Sequence, residues 1–413
     1  MTNRRVVITG LGAVTPLGLD VNSTWQALLD GASGIGPITL FDAAEFSTRI
    51  AGEVKEFEPG NYFDVREAKR LDRFAQFAMV AGIEAVKDAG LDFTTTDPSR
   101  VGVLVGSGIG GLGEIESQHT RLAERGPAKL SPFMVPKLMM NAASGQLSIH
   151  FGLYGPSIAV ASACASATNA IGEAMWMIKR GDADVMIAGG SEAAVTPLGL
   201  GGFCALKGLS TRNDDPAHAS RPFDAGRDGF VLGEGAGVLV LEEYQHARAR
   251  GVPIYAELAG YASTSDAYHL TAPEPHGVGA AKAMSLAIAV AGLTPDKVSY
   301  INAHGTSTEL NDAMETAAIK TVFGDSAPKV AISSTKSCLG HLLGASGGVE
   351  LIACALAMKN SIVPPTSNLE TPDPACDLDY TPLVPREMPV DVALSNSFGF
   401  GGHNACLVIR KIA

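Results

Sequence analysis

Short β-branched runs alternate with longer alanine-rich stretches along most of the chain. The runs Val101–Val105, Ile158–Ala161, Val185–Ala188, Val238–Leu241, Val298–Asn302, Val330–Ser333 and Cys406–Ile409 predict buried strands. Val6-Val7-Ile8-Thr9-Gly10 predicts a first strand, after the short basic prelude Met1-Thr2-Asn3-Arg4-Arg5. The stretches Phe74–Ala89, Ala165–Arg180, Gly279–Ala291, Asp312–Phe323 and Leu342–Lys359 predict helices. Glycine-bearing turns separate the elements, so the pattern is α/β.

The pattern also repeats. In one half a strand at Ile158 leads through Ala161-Ser162-Ala163-Cys164 into a helix ending at Arg180, and then to a strand at Val185. In the other a strand at Val330 leads through Ser333-Ser334-Thr335-Lys336 into a helix ending at Lys359, and then to Ile362-Val363. Each half closes on a glycine-rich turn before a strand, Gly233-Glu234-Gly235-Ala236-Gly237 and Gly399-Phe400-Gly401-Gly402. The join is expected after the polar helix Glu242–Arg250, giving halves 1–251 and 252–413. Such a duplication would bring loops from both halves to one face.

Composition narrows the function classes. The 413 residues are 46% hydrophobic and 18% charged, which calls for large cores rather than disorder. A formal charge of -12 argues against general nucleic-acid binding, although a local basic patch could still meet an acidic protein. No apolar stretch reaches membrane-spanning length and the start lacks a secretory core, so no membrane insertion and a cytoplasmic location are expected. The six cysteines are widely spaced, without a Cys-x-x-Cys pair.

Three residues stand at turns where α/β proteins place reactive groups. Cys164 lies between a strand and a long helix among small neighbours, where a helix dipole and free amides would favour the thiolate. On that context alone it is equally a nucleophile or a buried structural thiol. His304 follows a strand in Ile301-Asn302-Ala303-His304-Gly305-Thr306-Ser307-Thr308, with Asp312 at the next helix start. His341 follows another, in Lys336-Ser337-Cys338-Leu339-Gly340-His341. Taken together they favour chemistry over three separate core residues. No His-Glu-x-x-His or close Cys/His cluster argues for a metal, and Gly106-Ser107-Gly108-Ile109-Gly110-Gly111 lacks the lysine of a phosphate loop.

Seven short motifs in order resemble the elongating, Cys-His-His β-ketoacyl-[acyl-carrier-protein] synthases over essentially the whole chain. They are Val6–Gly12, Gly106–Gly111, Ser162–Ser166, Pro222–Asp224 with Arg227–Phe230, His304–Thr308, Lys336–His341 and Asn396–Gly402. The resemblance implies a thiolase-like fold of two duplicated halves in α-β-α-β-α layers, and a homodimer. It implies decarboxylative condensation of acyl and malonyl thioesters held on a phosphopantetheinylated acyl carrier protein, without a metal or other cofactor. Cys164 matches the nucleophile, His304 and His341 the paired histidines, Lys336 the active-site lysine with Glu350 as its paired glutamate, and Phe400 a gate. Ile109, Phe203, Thr306, Thr308 and Phe398 match the substrate pocket. Arg66, Lys69, Arg70, Lys129 and Lys207 match carrier-docking positions, although Ala128 stands where a further arginine is expected. A thiolase would need a second cysteine in the final glycine-rich loop, and an initiating synthase would lack the second histidine. A chain-length partner would lack Cys164. A polyketide ketosynthase with the same triad is the remaining alternative.

Overall fold

The computed structural model describes residues 4–412, so Met1–Asn3 of the basic prelude lie outside the described residues. Ten strands form one sheet: β1 (Val6–Val14), β2 (Val101–Gly106), β3 (Ser157–Ile158), β4 (Val185–Glu192), β5 (Gly235–Glu243), β6 (Ala256–Ser265), β7 (Tyr300–Asn302), β8 (Ala331–Ser333), β9 (Val392–Gly399) and β10 (His403–Arg410). Their order is β8-β7-β9-β10-β6-β1-β5-β4-β2-β3. It reads the same from both ends: β1, β5, β4, β2 and β3 on one side correspond to β6, β10, β9, β7 and β8 on the other. The two sides meet along a short antiparallel contact, Val7 opposite Glu257 and Ile8 opposite Ala256.

Side-chain alternation turns this sheet into layers. On β5, Leu239 and Leu241 face one core while Val238 and Val240 face another. On β10, Leu407 and Ile409 join the same first core, and Cys406 and Val408 face a third. The shared middle core holds α3 (Ser166–Arg180) and α6 (Ser346–Asn360), which touch strands of both sides. Helices α1 (Arg73–Asp88) and α2 (Ala142–Phe151) cover one outer face, and α4 (Val278–Val290) and α5 (Glu309–Phe323) the other. The result is the α-β-α-β-α stack. Every residue of α6 from Ser346 to Met358 is buried, as a helix enclosed on all sides must be.

Most predicted elements stand within a few residues of their expected ends. Three do not. The strand expected over Ile158–Ala161 is only Ser157–Ile158, and it is exposed rather than buried. It is an edge strand, paired through Val103 and Leu104 alone, and the chain leaves it to reach Cys164. The expected strand partner at Ile362-Val363 belongs to a separate two-stranded ribbon with Arg386–Glu387. The counterpart of β4 is β9, some thirty residues later in the chain. Helix α6 begins at Ser346 rather than Leu342, because Leu343–Ala345 form a tighter turn.

The middle layer is packed backbone to backbone. A methyl group on Gly348 would sit 2.2 Å from the Gly237 carbonyl oxygen, and one on Gly237 would sit 2.3 Å from the Val349 nitrogen. Helix propensity alone favours alanine over glycine by about 1 kcal/mol. Here neither contacting group can swing aside, so Gly348→Ala should destabilise the fold by about 2 kcal/mol. The denaturation midpoint should fall with its slope unchanged. An unchanged or raised midpoint would show that α6 can lift from β5 at little cost.

Candidate active site

Cys164 sits on a strained elbow. Ala163 has φ +49°, a left-handed conformation uncommon for a residue with a side chain. Ser166 holds the turn: its hydroxyl accepts from the Ser162 amide at 2.9 Å and donates to the Ala163 carbonyl at 2.6 Å. From the other half, the turn after β9 packs onto the elbow at Gly399, where a Cβ would meet the Ser162 oxygen at 2.9 Å. The amides of Phe400 and of Cys164 itself consequently face the sulfur.

The thiol is 7% exposed, and burial decides its acidity. Burial pushes the Cys164 thiol up to about 11, against the charge of Lys336 and the two amides, with Glu192 adding to the rise. The thiolate expected from the helix position is therefore not the resting form. The dipole and amides are present, yet desolvation outweighs them.

His304 and His341 approach Cys164 from β7 and from the loop before α6. Their rings lie 5.3 Å apart, edge to face. A nitrogen of each and the Cys164 sulfur lie within 4.8 Å of one another. Burial and the Lys336 charge hold both imidazoles well below their ordinary range, so both are neutral at pH 7. Their tautomers follow from their neighbours. The Leu343 amide donates to His341 Nδ1 at 3.2 Å, and the Lys336 ammonium lies 3.3 Å from His304 Nδ1. With Nδ1 accepting, each ring carries its proton on Nε2 and offers an N–H to the cavity. This is a donor site for a developing oxyanion. The same protonation makes the trio a poor metal site, since neither Nε2 presents a lone pair.

Lys336 and Glu350 stand behind His304, each 2% exposed. The ammonium donates to the His304 carbonyl at 2.7 Å and pairs with Glu350 Oε1. Two carboxylates fix the His304 turn: Glu315, not singled out in the sequence, accepts from the His304 and Gly305 amides at 2.9 and 2.8 Å, and Asp312 accepts from the Thr306 amide at 3.0 Å. Asp312 lies inside α5, three residues past its start.

The trio opens into a cavity of about 440 Å³ lined also by Ile109, Phe203, Thr306, Thr308, Phe398 and Phe400. Phe398 packs edge-on to His304 and Phe203 to Phe230, which in turn meets His341. Thr306 and Thr308 share a hydroxyl hydrogen bond of 2.9 Å. Phe400 is 37% exposed. Lys207 borders the cavity, whereas Arg66, Lys69, Arg70 and Lys129 are exposed residues away from its lining. The Arg70 guanidinium lies over Phe133, 5.4 Å from the ring centre, which links the Arg66–Arg70 segment to the chain just after Lys129. Glu192, at the end of β4, also lines the cavity and was not singled out in the sequence. Its signal there is weak: one acidic residue ending an apolar Val-Met-Ile-Ala-Gly-Gly-Ser run.

Alkylation of Cys164 by iodoacetamide should follow this electrostatics. With the thiol near 11, the rate should climb about tenfold per pH unit from 7 to 10, without a break in the imidazole range. Lys336→Met should slow it further by removing the one opposing charge. Peptide mass mapping of Cys164 reads the rate, and a plateau below pH 8 would mean that the resting form is the thiolate.

The family models for the N-terminal and C-terminal domains of β-ketoacyl synthase match residues 3–247 and 255–370. Proteins named 3-oxoacyl-[acyl-carrier-protein] synthase 2 are similar over the full chain. That of Synechocystis is 54% identical over all of this chain and 99% of its own length, and that of Vibrio harveyi 52% over the whole of both. Among solved structures, a type II polyketide ketosynthase in complex with its acyl carrier protein superposes with a TM-score of 0.93 at 37% identity, covering both chains fully. A β-ketoacyl synthase from Burkholderia phymatum superposes with a TM-score of 0.92 at 36% identity, over 99% of this chain and all of that one. With these motifs, this layered fold and this cavity, the chain belongs to the β-ketoacyl synthase family.

Proposed function

We propose that the chain condenses an acyl group with malonate, both carried as thioesters on a phosphopantetheinylated acyl carrier protein, in fatty-acid chain elongation. The observation that carries this reading is the convergence of one thiol and two neutral N–H-donating imidazoles in a single apolar cavity. A soft nucleophile suits thioester exchange. Cys164 attacks the acyl thioester, its sulfur takes the acyl group, and the thiol proton leaves with the carrier's thiol. The Cys164 and Phe400 amides are placed to stabilise the tetrahedral oxyanion.

Malonyl thioester then loses carbon dioxide. The electron pair of the broken C–C bond becomes an enolate, whose oxygen the Nε2–H groups of His304 and His341 stabilise. Its α-carbon attacks the acyl-Cys carbonyl, the C–S bond breaks, and the 3-oxoacyl product departs on its carrier. A Cys164 thiolate with so high a proton affinity takes a proton from solvent and restores the resting thiol. Lys336 and Glu350 hold His304 rather than meet the substrate.

Around this centre, Ile109, Phe203 and Phe398 bound the acyl chain, Thr306 and Thr308 offer hydroxyls to the phosphopantetheine arm, and Phe400 gates the cysteine between Gly399 and Gly401. Arg66, Lys69, Arg70, Lys129 and Lys207 form the carrier-docking set. The exposed edge strand β3, with Ile149, Tyr154 and Ile158 uncovered, is the face on which a homodimer would pair. The palindromic sheet order supports halves 1–251 and 252–413. Among the described residues no helix is long and apolar enough to cross a membrane, which is compatible with a cytoplasmic enzyme. Iterative polyketide extension is the second reading, favoured by the polyketide ketosynthase superposition, but at 37% rather than 54% identity. Product analysis with malonyl-carrier and a saturated acyl-carrier separates them: one two-carbon addition supports elongation, and repeated unreduced additions support the alternative.

The roles divide by step. Intact mass should show one acyl adduct on the wild type and none on Cys164→Ala. His304→Ala and His341→Ala should keep the adduct while carbon dioxide release falls by about a hundredfold or more. Normal release from both variants would remove the histidines from decarboxylation.

Docking is tested apart from chemistry. Reversing the charges of Lys69 and Arg70 should raise the apparent KM for acyl-carrier by about tenfold and flatten its salt dependence. Turnover of a small pantetheine thioester should stay unchanged. Equal losses with both substrates would place these residues in the fold instead.

A further inference from the structure

Glu192 is fully buried, lines the catalytic cavity and has no cation among its hydrogen-bond partners. Instead it is ringed by donors. Oε1 accepts from the Ser107 hydroxyl at 2.8 Å and the Ile109 amide at 3.1 Å. Oε2 accepts from the Gly108 amide at 2.7 Å and the Gly344 amide at 3.0 Å. Burial pushes the Glu192 carboxyl above its ordinary range, and the four donors, the Ser107 hydroxyl and the Gly108, Gly344 and Ile109 amides, oppose that rise by favouring the carboxylate. The Ser107 hydroxyl, having given its proton to Glu192, accepts from the Gly110 amide at 3.0 Å.

These donors come from two separate walls of the site. Ser107, Gly108 and Ile109 form the turn after β2, and the Ile109 side chain borders the cavity. Gly344 lies three residues beyond His341, next to Leu343, whose amide sets the His341 tautomer. The walls close tightly around the anion. A Cβ on Gly344 would meet the Gly108 nitrogen at 2.4 Å and Glu192 Oε2 at 2.6 Å, and one on Gly108 would meet the same oxygen at 2.8 Å.

We propose that Glu192 is a positioning residue for acyl-chain selection: its carboxylate latches the turn carrying Ile109 to the loop that follows His341. One buried anion thereby sets both the steric limit of the acyl pocket and the placement of a histidine. This rests on the condensing function proposed above, in which Cys164 carries the acyl chain past Ile109. The two oxygens divide the work unequally. Loss of Ser107 loosens only the Ile109 turn, whereas loss of the Glu192 charge loosens both walls, because the N–H₂ of an amide must face the two donors of one oxygen and its neutral oxygen accepts less strongly from the other two.

The test measures acylation of Cys164 by hexanoyl- and hexadecanoyl-carrier, and condensation with malonyl-carrier, in wild type, Glu192→Gln and Ser107→Ala. Both variants should raise the hexadecanoyl-to-hexanoyl acylation ratio by about fivefold or more, as a turn released from one or two hydrogen bonds yields to the longer chain. Glu192→Gln alone should lower condensation turnover about tenfold at both lengths, through the displaced Gly344 and His341. A ratio unchanged from wild type in Ser107→Ala overturns the latch even if Glu192→Gln fails to fold. Parallel losses at both lengths in both variants likewise reduce Glu192 to a structural role. A wild type that forms no Cys164 adduct would instead defeat the condensing function, and the latch with it.

Discussion

Everything at the catalytic centre depends on how closely two helices can lie between two halves of one sheet. Helix α3 starts two residues after Cys164, and α6 starts five residues after His341. For both starts to reach one cavity, the helices must touch each other and the strands around them without side chains in between. Glycine makes that possible at a few points. A Cβ on Gly347 would lie 2.0 Å from the Thr168 hydroxyl of α3, and one on Gly190 would lie 2.5 Å from the Ala167 methyl. The Thr168 hydroxyl is itself 2.7 Å from that of Ser397 on β9, so the same contact draws the final glycine-rich turn onto the cysteine. Packing of this kind has few alternatives, which is why the site can be held without disulfides, all six cysteines being free thiols.

Burial creates the second constraint. A cavity dry enough for an enolate keeps the thiol protonated and both imidazoles neutral, so the site rests with little charge facing the substrate. The Lys336 ammonium lies one layer back, where Glu350 pairs with it and the His304 carbonyl takes a further hydrogen bond. Its field still reaches Cys164 and both rings. A positive charge in that position favours negative charge in the cavity at every stage, while its hydrogen bonds point to Glu350 and to His304. Fixed N–H donors and a buried ammonium are preorganised, so little reorganisation is needed when the oxyanion forms.

Much of this was legible in the sequence because its cause is local. Glycine turns after apolar runs mark strand exits: His304 stands two residues past β7, while Cys164 and His341 follow β3 and β8 at six and eight residues. The alanine-rich pattern gave α1, α4 and α5 nearly to their ends, since those helices bury one face against a sheet, and it gave α3 too, although that helix lies in the middle layer. What escaped was set by distant parts of the chain. Ile158–Ala161 is as apolar as a buried strand, but it lies at an edge with a neighbour on only one side. Ile362-Val363 follows a helix at the right distance to mimic the repeat, and only the pairing of β9 between β7 and β10 shows the true counterpart. The low acidity of Cys164 is hidden from the sequence for a related reason. A helix N-terminus is visible in sequence, whereas the desolvation that opposes it is supplied by residues from the other half.

Glu192 and Glu315 show why such sites are hard to read in one dimension. Glu192 is one acidic residue ending an apolar run, and Glu315 is one of three on the first turns of α5, after Glu309 and Asp312. Each acts by accepting main-chain N–H groups, and those groups carry no residue-type signature. Glu315 ties the His304 turn to α5, and Glu192 ties the turns on either side of the cavity to the end of β4. Leaving such amides unpaired in a buried site would cost about 1–3 kcal/mol each, so a loop that lacks a strand partner requires some other fixed acceptor. A carboxylate suits this need because it can take several donors at once, and because the donors it gathers lower the penalty for its own burial. Loops that must be irregular to present Cys164, His304 and His341 are thus made rigid by buried carboxyl groups that gather their main-chain amides.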